Sequence, residues 1–434
     1  MSGLSEGMAR RRLHDVIEAR SAEEPVIALH GPRSVGKSTL LRDFAARHKV
    51  GVIDLDDPAT LDAARANPTQ MVAGERPVCL GEYQKAPELL DALKTRMSRD
   101  GALPGTAVLT GSTRHEALPV TAQALTGRLH TLNVLPLSQG EIAGDIEDLV
   151  VALFYDPDAA VAAHPTSTTT REEYVERLCA GGFPLALRRE GSARNRWFDD
   201  FVKHSLERDA LELQKVRQRA VLRSLLNRLA GQTAQILNVS TAMAGLDTTR
   251  PTADGYVRLL EDLFLVVQLP AWGKTLRARA AARPKIHVVD SGLAARLMRI
   301  STQKLASLDP TVLTEFGNLL ETFVVGELTK QVSWLPEAPI LGYWRTGDDH
   351  EVDFVIEAHD GRVLAFEVKA NERVPGSDLK GLRKLREALG DNFVAGVALS
   401  TGARSYTHED RLHVMPIDRL WRPCSQPAEF GSGL

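Results

Sequence analysis

Short apolar runs alternate with amphipathic stretches through the first hundred or so residues. Val26-Ile27-Ala28-Leu29, Gly51-Val52-Ile53-Asp54-Leu55, Pro77-Val78-Cys79-Leu80 and Thr106-Ala107-Val108-Leu109 are brief and bounded by Gly, Asp, Pro or Thr. Runs of that length predict strands buried on both faces. Between them, Leu40, Leu41, Phe44 and Ala45 fall at helical spacing, Glu88 to Met97 reads as a helix, and residues 8–20 form a short amphipathic helix with Met8, Leu13, Val16 and Ile17 apolar. Strands alternating with helices predict a parallel sheet covered on both faces, with ligands at the carboxyl ends of its strands.

The texture changes near residue 150. Ala159 to Thr170 is rich in small residues and Thr and reads as a linker, and mostly helical sequence follows, broken at Gly181-Gly182-Phe183-Pro184. Residues 221–270 read helix, helix, helix, strand. Thr249 caps the third helix, Pro251 lies in its first turn, and Tyr256, Leu259, Leu260 and Leu263 make its apolar stripe. That is the outline of a winged helix-turn-helix. Two alternating segments, Glu351 to Glu357 and Arg362 to Lys369, flank His359-Asp360-Gly361 and predict a hairpin. The expected domains are 1–150, 171–290 and 291–424.

Bulk composition narrows the class. With 434 residues, 43% hydrophobic and 25% charged, and no apolar run near the length of a membrane span, the chain is expected to be a multidomain cytoplasmic protein. Arg10-Arg11-Arg12 is interrupted by His14, Asp15 and Glu18, unlike a signal peptide. Cys79, Cys179 and Cys424 are scattered, with neither disulfide nor metal-site spacing. A net charge of −3 excludes a general nucleic-acid coat, so such contact needs a local patch. Lys274, Arg277, Arg279, Arg283, Lys285, Arg296 and Arg299, against Asp290 alone, supply one beside the winged segment. The alternative is a protein-binding unit with a solvated basic face, since base-edge readers are scarce in 249–260.

The first strand runs into Gly31-Pro32-Arg33-Ser34-Val35-Gly36-Lys37-Ser38, the pattern G-x-x-x-x-G-K-[ST], and a helix follows. Strand, glycine loop and helix together predict a nucleoside triphosphate site. Backbone N–H groups from Gly31 to Thr39 cradle phosphates at the positive end of the helix, Lys37 reaches the β/γ-phosphates, and the Ser38 hydroxyl ligates Mg²⁺. ATP and Mg²⁺ are the expected cofactors.

The C-terminal hairpin carries the second constellation. A three-residue loop with Gly361 in the left-handed position sets Ala358 opposite Arg362 and Asp353 opposite Glu367, with Lys369 on the same face. Facing carboxylates with a lysine beside them resemble the Asp…Glu-x-Lys site of restriction-endonuclease-like nucleases. In that chemistry the carboxylates hold Mg²⁺ on the scissile phosphate and the lysine steadies the hydroxide or the phosphorane. The competing reading is a surface hairpin whose carboxylates pair with Lys369 and Arg345.

The chain as a whole resembles the AAA-type predicted ATPases of bacteria and archaea that carry a C-terminal restriction-endonuclease-like domain. The matching residues are Gly31 to Thr39, Asp54-Leu55-Asp56-Asp57-Pro58, Glu82-Tyr83-Gln84-Lys85-Ala86-Pro87, Leu109-Thr110-Gly111-Ser112, Leu125-Thr126-Gly127-Arg128, Leu135-Pro136-Leu137-Ser138, Gly181-Gly182-Phe183-Pro184 and the C-terminal set. The resemblance implies an α/β architecture: a P-loop parallel sheet, a helical winged-helix segment and a restriction-endonuclease-like α/β domain. It implies Glu82 as the residue orienting the attacking water, Ser112 as sensor of the γ-phosphate and Arg128 as a cation for transition-state charge. It implies catalytic roles for Asp353, Glu367 and Lys369, with Glu321 as a further metal-binding acid, and Arg345 binding a phosphate. This sequence departs from the family where the third strand ends: Gly81-Glu82 stands in place of Asp-Glu, so slow hydrolysis is expected, and Asp54 and Asp56 on the second strand are expected too far from the loop to substitute. The leading expectation is an ATPase coupled to a domain that acts on or binds nucleic acid. The alternative is a nucleotide-gated DNA- or protein-binding regulator with weak catalytic centres. ATP, DNA and a protein partner are the partners weighed, with no membrane and an oligomer left open.

Overall fold

The structure is a computed structural model, which describes residues 9–112, 125–209, 218–273, 282–307, 309, 312–348 and 350–424. Strands β1 (Val26–His30), β2 (Val52–Asp54), β3 (Val78–Gly81), β4 (Ala107–Gly111) and β5 (Leu129–Asn133) form one parallel sheet in the order β2-β3-β4-β1-β5. The four apolar runs are β1 to β4. Strand β5 escapes the apolar-run signal because His130, Thr131 and Asn133 interrupt it, but it pairs with β1 along its whole length. Both faces are covered, as parallel sheets require. Ile27, Leu29 and Val108 join a cluster with the helix Lys37–Arg47, whereas Val26, Ala28, Leu80 and Leu109 pack with Leu89, Leu90 and Leu93 of the helix Glu88–Asp100. Each such leucine or isoleucine contributes about 1.5–3 kcal/mol on leaving water.

The middle of the chain folds as predicted in outline. Helices Arg219–Ala230, Val239–Met243 and Arg250–Asp262 accompany β6 (Gln235–Ile236), β7 (Val266–Leu269) and β8 (Lys285–Val288), an antiparallel sheet in the order β6-β8-β7. Thr249 accepts from the Thr252 N–H and Pro251 sits in the first turn. Lys274, Arg277 and Arg279 lie outside the described residues.

The C-terminal sheet holds β9 (Ile340–Arg345), β10 (Glu351–Glu357), β11 (Val363–Lys369), β12 (Phe393–Ser400), β13 (Tyr406–Glu409) and β14 (Leu412–Pro416), in the order β13-β14-β12-β11-β10-β9. The 21-residue helix Leu313–Ser333 lies over one face and the helix Lys380–Leu389 packs with the residues of the other. The edge of this sheet is tied to the middle unit: Trp272 N–H donates to the Tyr343 carbonyl at 2.6 Å, Tyr343 N–H to the Pro270 carbonyl at 3.0 Å, and Trp272 Nε1–H to Glu357 Oε2 at 2.8 Å. Gly342 lets the two backbones approach, since a Cβ there would strike the Pro270 carbonyl.

The Thr-rich segment is no free linker. Ser167 and Thr169 hydroxyls donate to Asp418 Oδ2 at 2.6 and 2.9 Å, Ser167 N–H donates to the Ala403 carbonyl, and Thr170 closes a capping box with Glu173. Short hydroxyl side chains look like linker composition, but here they satisfy a fully buried carboxylate. Gly181-Gly182 has an equally local reason: a Cβ on either would strike Asp290 or the Leu137 carbonyl, where Leu137 N–H meets the Gly182 carbonyl at 2.8 Å.

Below the first sheet, Ser138 caps the helix Gln139–Ala143 in a capping box with Glu141, and its hydroxyl donates to buried Glu147. Burial pushes the Glu147 carboxyl up to about 7 from 4.5, the Ser138 hydrogen bond pulling the other way. A raised carboxyl binds its proton more tightly in the fold, so stability falls as pH rises from 4.5 through 7, by about 3 kcal/mol when complete. Glu147→Gln is expected to flatten urea-unfolding stability between pH 5 and 8 and to exceed the wild type at pH 8; an unchanged pH slope counts against it.

Candidate functional site

The phosphate-loop pattern sits where β1 meets the helix Lys37–Arg47, at the carboxyl end of the sheet. Gly31 is required because a Cβ would run into the Val134 carbonyl, and Gly36, at φ 99°, takes the left-handed conformation that starts the helix. Lys37 is 5% exposed and its ammonium donates to the Gly31 and Pro32 carbonyls at 2.8 and 2.7 Å. The loop is thus curled around the lysine ammonium. Ser38, two positions into the helix direction from Gly36, is exposed.

Arg11, which the sequence pattern did not single out, braces this loop. Its guanidinium donates to the Val35 carbonyl at 2.9 Å, the Leu135 carbonyl at 2.7 Å and Glu141 Oε1 at 3.1 Å, and the side chain is buried. An arginine within a short basic run reads as solvated, and no local signal separates it from Arg10 and Arg12.

The ends of β3 and β4 face the same region. Glu82, buried and in the left-handed conformation at φ 54°, accepts from Gln84 Nε2 at 2.7 Å, and Gln84 Nε2 also reaches Ser112 Oγ at 3.2 Å. One amide therefore holds the two predicted polar groups together. His30 Nε2 and the Tyr83 hydroxyl are 2.9 Å apart on the same edge. Asp54 is on the outer strand, farther from the loop than Gly81, as expected; β2 pairs with β3 at Asp54 and Gly81, and a Cβ on Gly81 would lie 3.6 Å from Asp54 Oδ1. Asp56, by contrast, pairs with Lys85.

Arg128 is not brought to its own loop. It precedes Leu129, which pairs with Val26 at the opposite end of the parallel β1–β5 ladder from His30, so a strand length of about 16 Å intervenes. Its guanidinium approaches Ser98 Oγ at 3.5 Å.

In the C-terminal hairpin the predicted register holds: Phe354 pairs with Phe366 and Ile356 with Leu364, Ala358 N–H donates to the Arg362 carbonyl at 2.9 Å, and Gly361 is left-handed at φ 83°. A register shift between Val352 and Val355 on the β9 side falls at Asp353, where irregularity re-aims a side chain. Glu367 Oε1 accepts from Lys369 Nζ at 2.8 Å, and Asp353 Oδ2 accepts from the Val368 N–H at 2.9 Å. Glu321 comes to the same place from the helix Leu313–Ser333. Between these acids stands Lys285 of β8, 2% exposed, its ammonium 2.7 Å from Glu321 Oε1, 2.6 Å from Glu351 Oε1 and 3.0 Å from Asp353 Oδ1. Two expectations change. Lys285 is buried rather than part of a phosphate-facing patch, and its ammonium stands among Glu321, Glu351 and Asp353, while Glu367 pairs with Lys369. Among the described residues no group of three or more His, Cys, Asp or Glu side chains is arranged to hold a metal ion. Arg345 pairs with Glu351 Oε2 at 3.6 Å. Burial and the neighbouring Asp353 push the Glu367 carboxyl up to about 8, and burial above all raises that of Glu321.

With this geometry in view, comparison with known proteins adds names for segments. Residues 23–143 match the AAA domain family, 171–304 a domain of unknown function (DUF8612), and 316–420 another (DUF4143). The first unit is an AAA-type P-loop fold, and its match supports nucleotide binding; the C-terminal match says nothing of a nuclease. An uncharacterized protein of Mycobacterium tuberculosis and another of Mycobacterium bovis are each 27% identical over 417 residues, covering 95% of this chain and 82% of theirs. The Walker-type ATPase of Pyrococcus abyssi is similar at 16% identity over 69% of this chain and 98% of its own, with a TM-score of 0.41. AMPPCP-bound DnaA from Aquifex aeolicus follows at 14% identity, 59% and 88% coverage and a TM-score of 0.23. No described helix is long and apolar enough to cross a membrane.

Proposed function

We propose that this protein is an ATP-dependent switch that binds Mg·ATP on residues 31–39, hydrolyses it slowly, and passes the state of that site to its middle and C-terminal units. The observation that carries the reading is the Gly31–Gly36–Lys37 loop, built where its glycines are sterically required, within the AAA-domain segment. Backbone amides hold the phosphates, Lys37 turns from two loop carbonyls to the β/γ-phosphates, and Glu82 orients the attacking water while Ser112 reads the γ-phosphate. Mg²⁺ bound here would supply positive charge against that developing on the phosphates. On this chain the exposed Ser38 hydroxyl at the helix start is the group that would hold it. Arg128, remote from its own loop, serves only a neighbouring chain in this scheme.

ATP affinity measured beside steady-state phosphate release tests this. Binding with turnover close to that of a Lys37→Ala control fits the slow switch, and no binding at millimolar ATP ends it. Gly81→Asp restores the family's carboxylate in ordinary contact with Asp54 and is expected to raise turnover about tenfold, the typical scale of one positioned catalytic group being 10²–10⁴. A variant no faster than the wild type refutes the role given to Gly81.

For the partner, a second reading concerns nucleic acid. The middle unit has the element order of a winged helix, and Arg194 and Arg299 line a cleft of about 630 Å³, with Lys203 and Arg223 lining the adjoining one. Duplex binding that weakens steeply with salt supports DNA as the partner, and salt-insensitive or absent binding favours a protein. The Asp353–Glu367 register and Lys369 favour a nuclease, but Lys285 speaks for the regulator; the three free cysteines accord with a reducing cytoplasm.

A further inference from the structure

The donor set around Lys285 is unusual for a lysine. Glu321 comes from a helix, Glu351 and Asp353 from alternate positions of β10, and three carboxylate oxygens converge on one ammonium at 2.6–3.0 Å. Oxygen-only convergence of that kind suits a hard divalent cation. The ammonium donates to Glu321 and Asp353, with Glu351 beside it as an ion pair, and its charge lies 5.6 Å from the Tyr343 ring centroid. Facing Asp353 across the hairpin is Glu367, 9% exposed, whose Oε2 has no hydrogen-bond partner. That atom is an acid oxygen the ammonium leaves unmet. Burial costs the ammonium, but the three surrounding acids outweigh it and hold its proton well above the ordinary value. The lysine belongs to β8 and its acids to the C-terminal unit, so the cluster also joins the two.

We infer that Lys285 is the resident cation of this cluster: its ammonium fills the space among Glu321, Glu351 and Asp353, closes the cluster to metal, and makes it a joint between the middle and C-terminal units. Removing the ammonium converts the joint into a divalent-cation site. The inference does not depend on nucleotide binding.

The test counts Mn²⁺ bound to the nucleotide-free full chain by electron paramagnetic resonance, in four proteins: wild type, Asp353→Asn, Lys285→Met, and Lys285→Met with Asp353→Asn. Metal held at the phosphate loop is common to all four and cancels. The expected result is equal counts in the wild type and Asp353→Asn, one additional Mn²⁺ per chain in Lys285→Met, and loss of that ion in the double variant. The unfolding midpoint of Lys285→Met is expected to rise with Mn²⁺ while that of the wild type stays fixed. Should Lys285→Met fold only in Mn²⁺ and not in EDTA, that rescue reads the same way. Mn²⁺ bound by the wild type and lost in Asp353→Asn overturns the inference, as does a Lys285→Met protein that takes up no extra ion or fails to fold with and without Mn²⁺.

Discussion

Replacing Lys285 by Ala is expected to cost about 3–5 kcal/mol of stability at pH 7.5, the scale found when one partner of a buried ion pair is removed. The reason lies in what is left behind: Glu321 and Asp353, 13% and 11% exposed at their side chains, lose the ammonium they share with Glu351. In the intact protein the raised lysine pKa makes this contribution complete below the unfolded value of 10.5, to be lost only as pH climbs through the folded one. In the variant the acids can avoid the penalty by taking up protons. Urea unfolding at pH 7.5 and pH 5 is therefore expected to show a large deficit at the first and a smaller one at the second. A deficit that is small, or equal at both, contradicts the account.

Lys37→Ala is expected to weaken ATP binding about 10- to 100-fold, from one charge-assisted contact worth about 1.5–3 kcal/mol. The same lysine donates to the Gly31 and Pro32 carbonyls, so the variant also loses the two bonds that keep the loop curled. Titration calorimetry of both proteins with Mg·ATP measures the effect. Affinity within threefold of the wild type removes the loop from the binding site.

How much of this could be read in advance depended on whether the signal was local. Apolar runs gave β1 to β4, and the glycine loop between β1 and its helix stood out by its spacing. Gly36 is there for a local reason, its left-handed φ, and Gly31 for a distant one, the Val134 carbonyl. The hairpin register followed from one loop length and one glycine. Long-range features were hidden. Lys285 looks like any member of a basic run, and only the approach of β8 to the C-terminal sheet turns it inward. Arg11 is indistinguishable by sequence from its neighbours. Strand order was the exception, since it set Asp54 on the outer strand away from the loop, where the sheet has it. Arg128 was read from its motif, which carries no distance, and parallel pairing puts it at the end of β5 away from its own chain's loop.

The helix Leu313–Ser333 touches two places at once. Glu321 sits in the lysine cluster, while Glu327 accepts from the Gln139 N–H at 2.7 Å and Lys330 donates to the Leu137 carbonyl at 3.1 Å. Six residues apart on a regular helix is about 9 Å of stiff rod. One unbroken helix therefore ties the Leu137–Gln139 corner to the acids around Lys285.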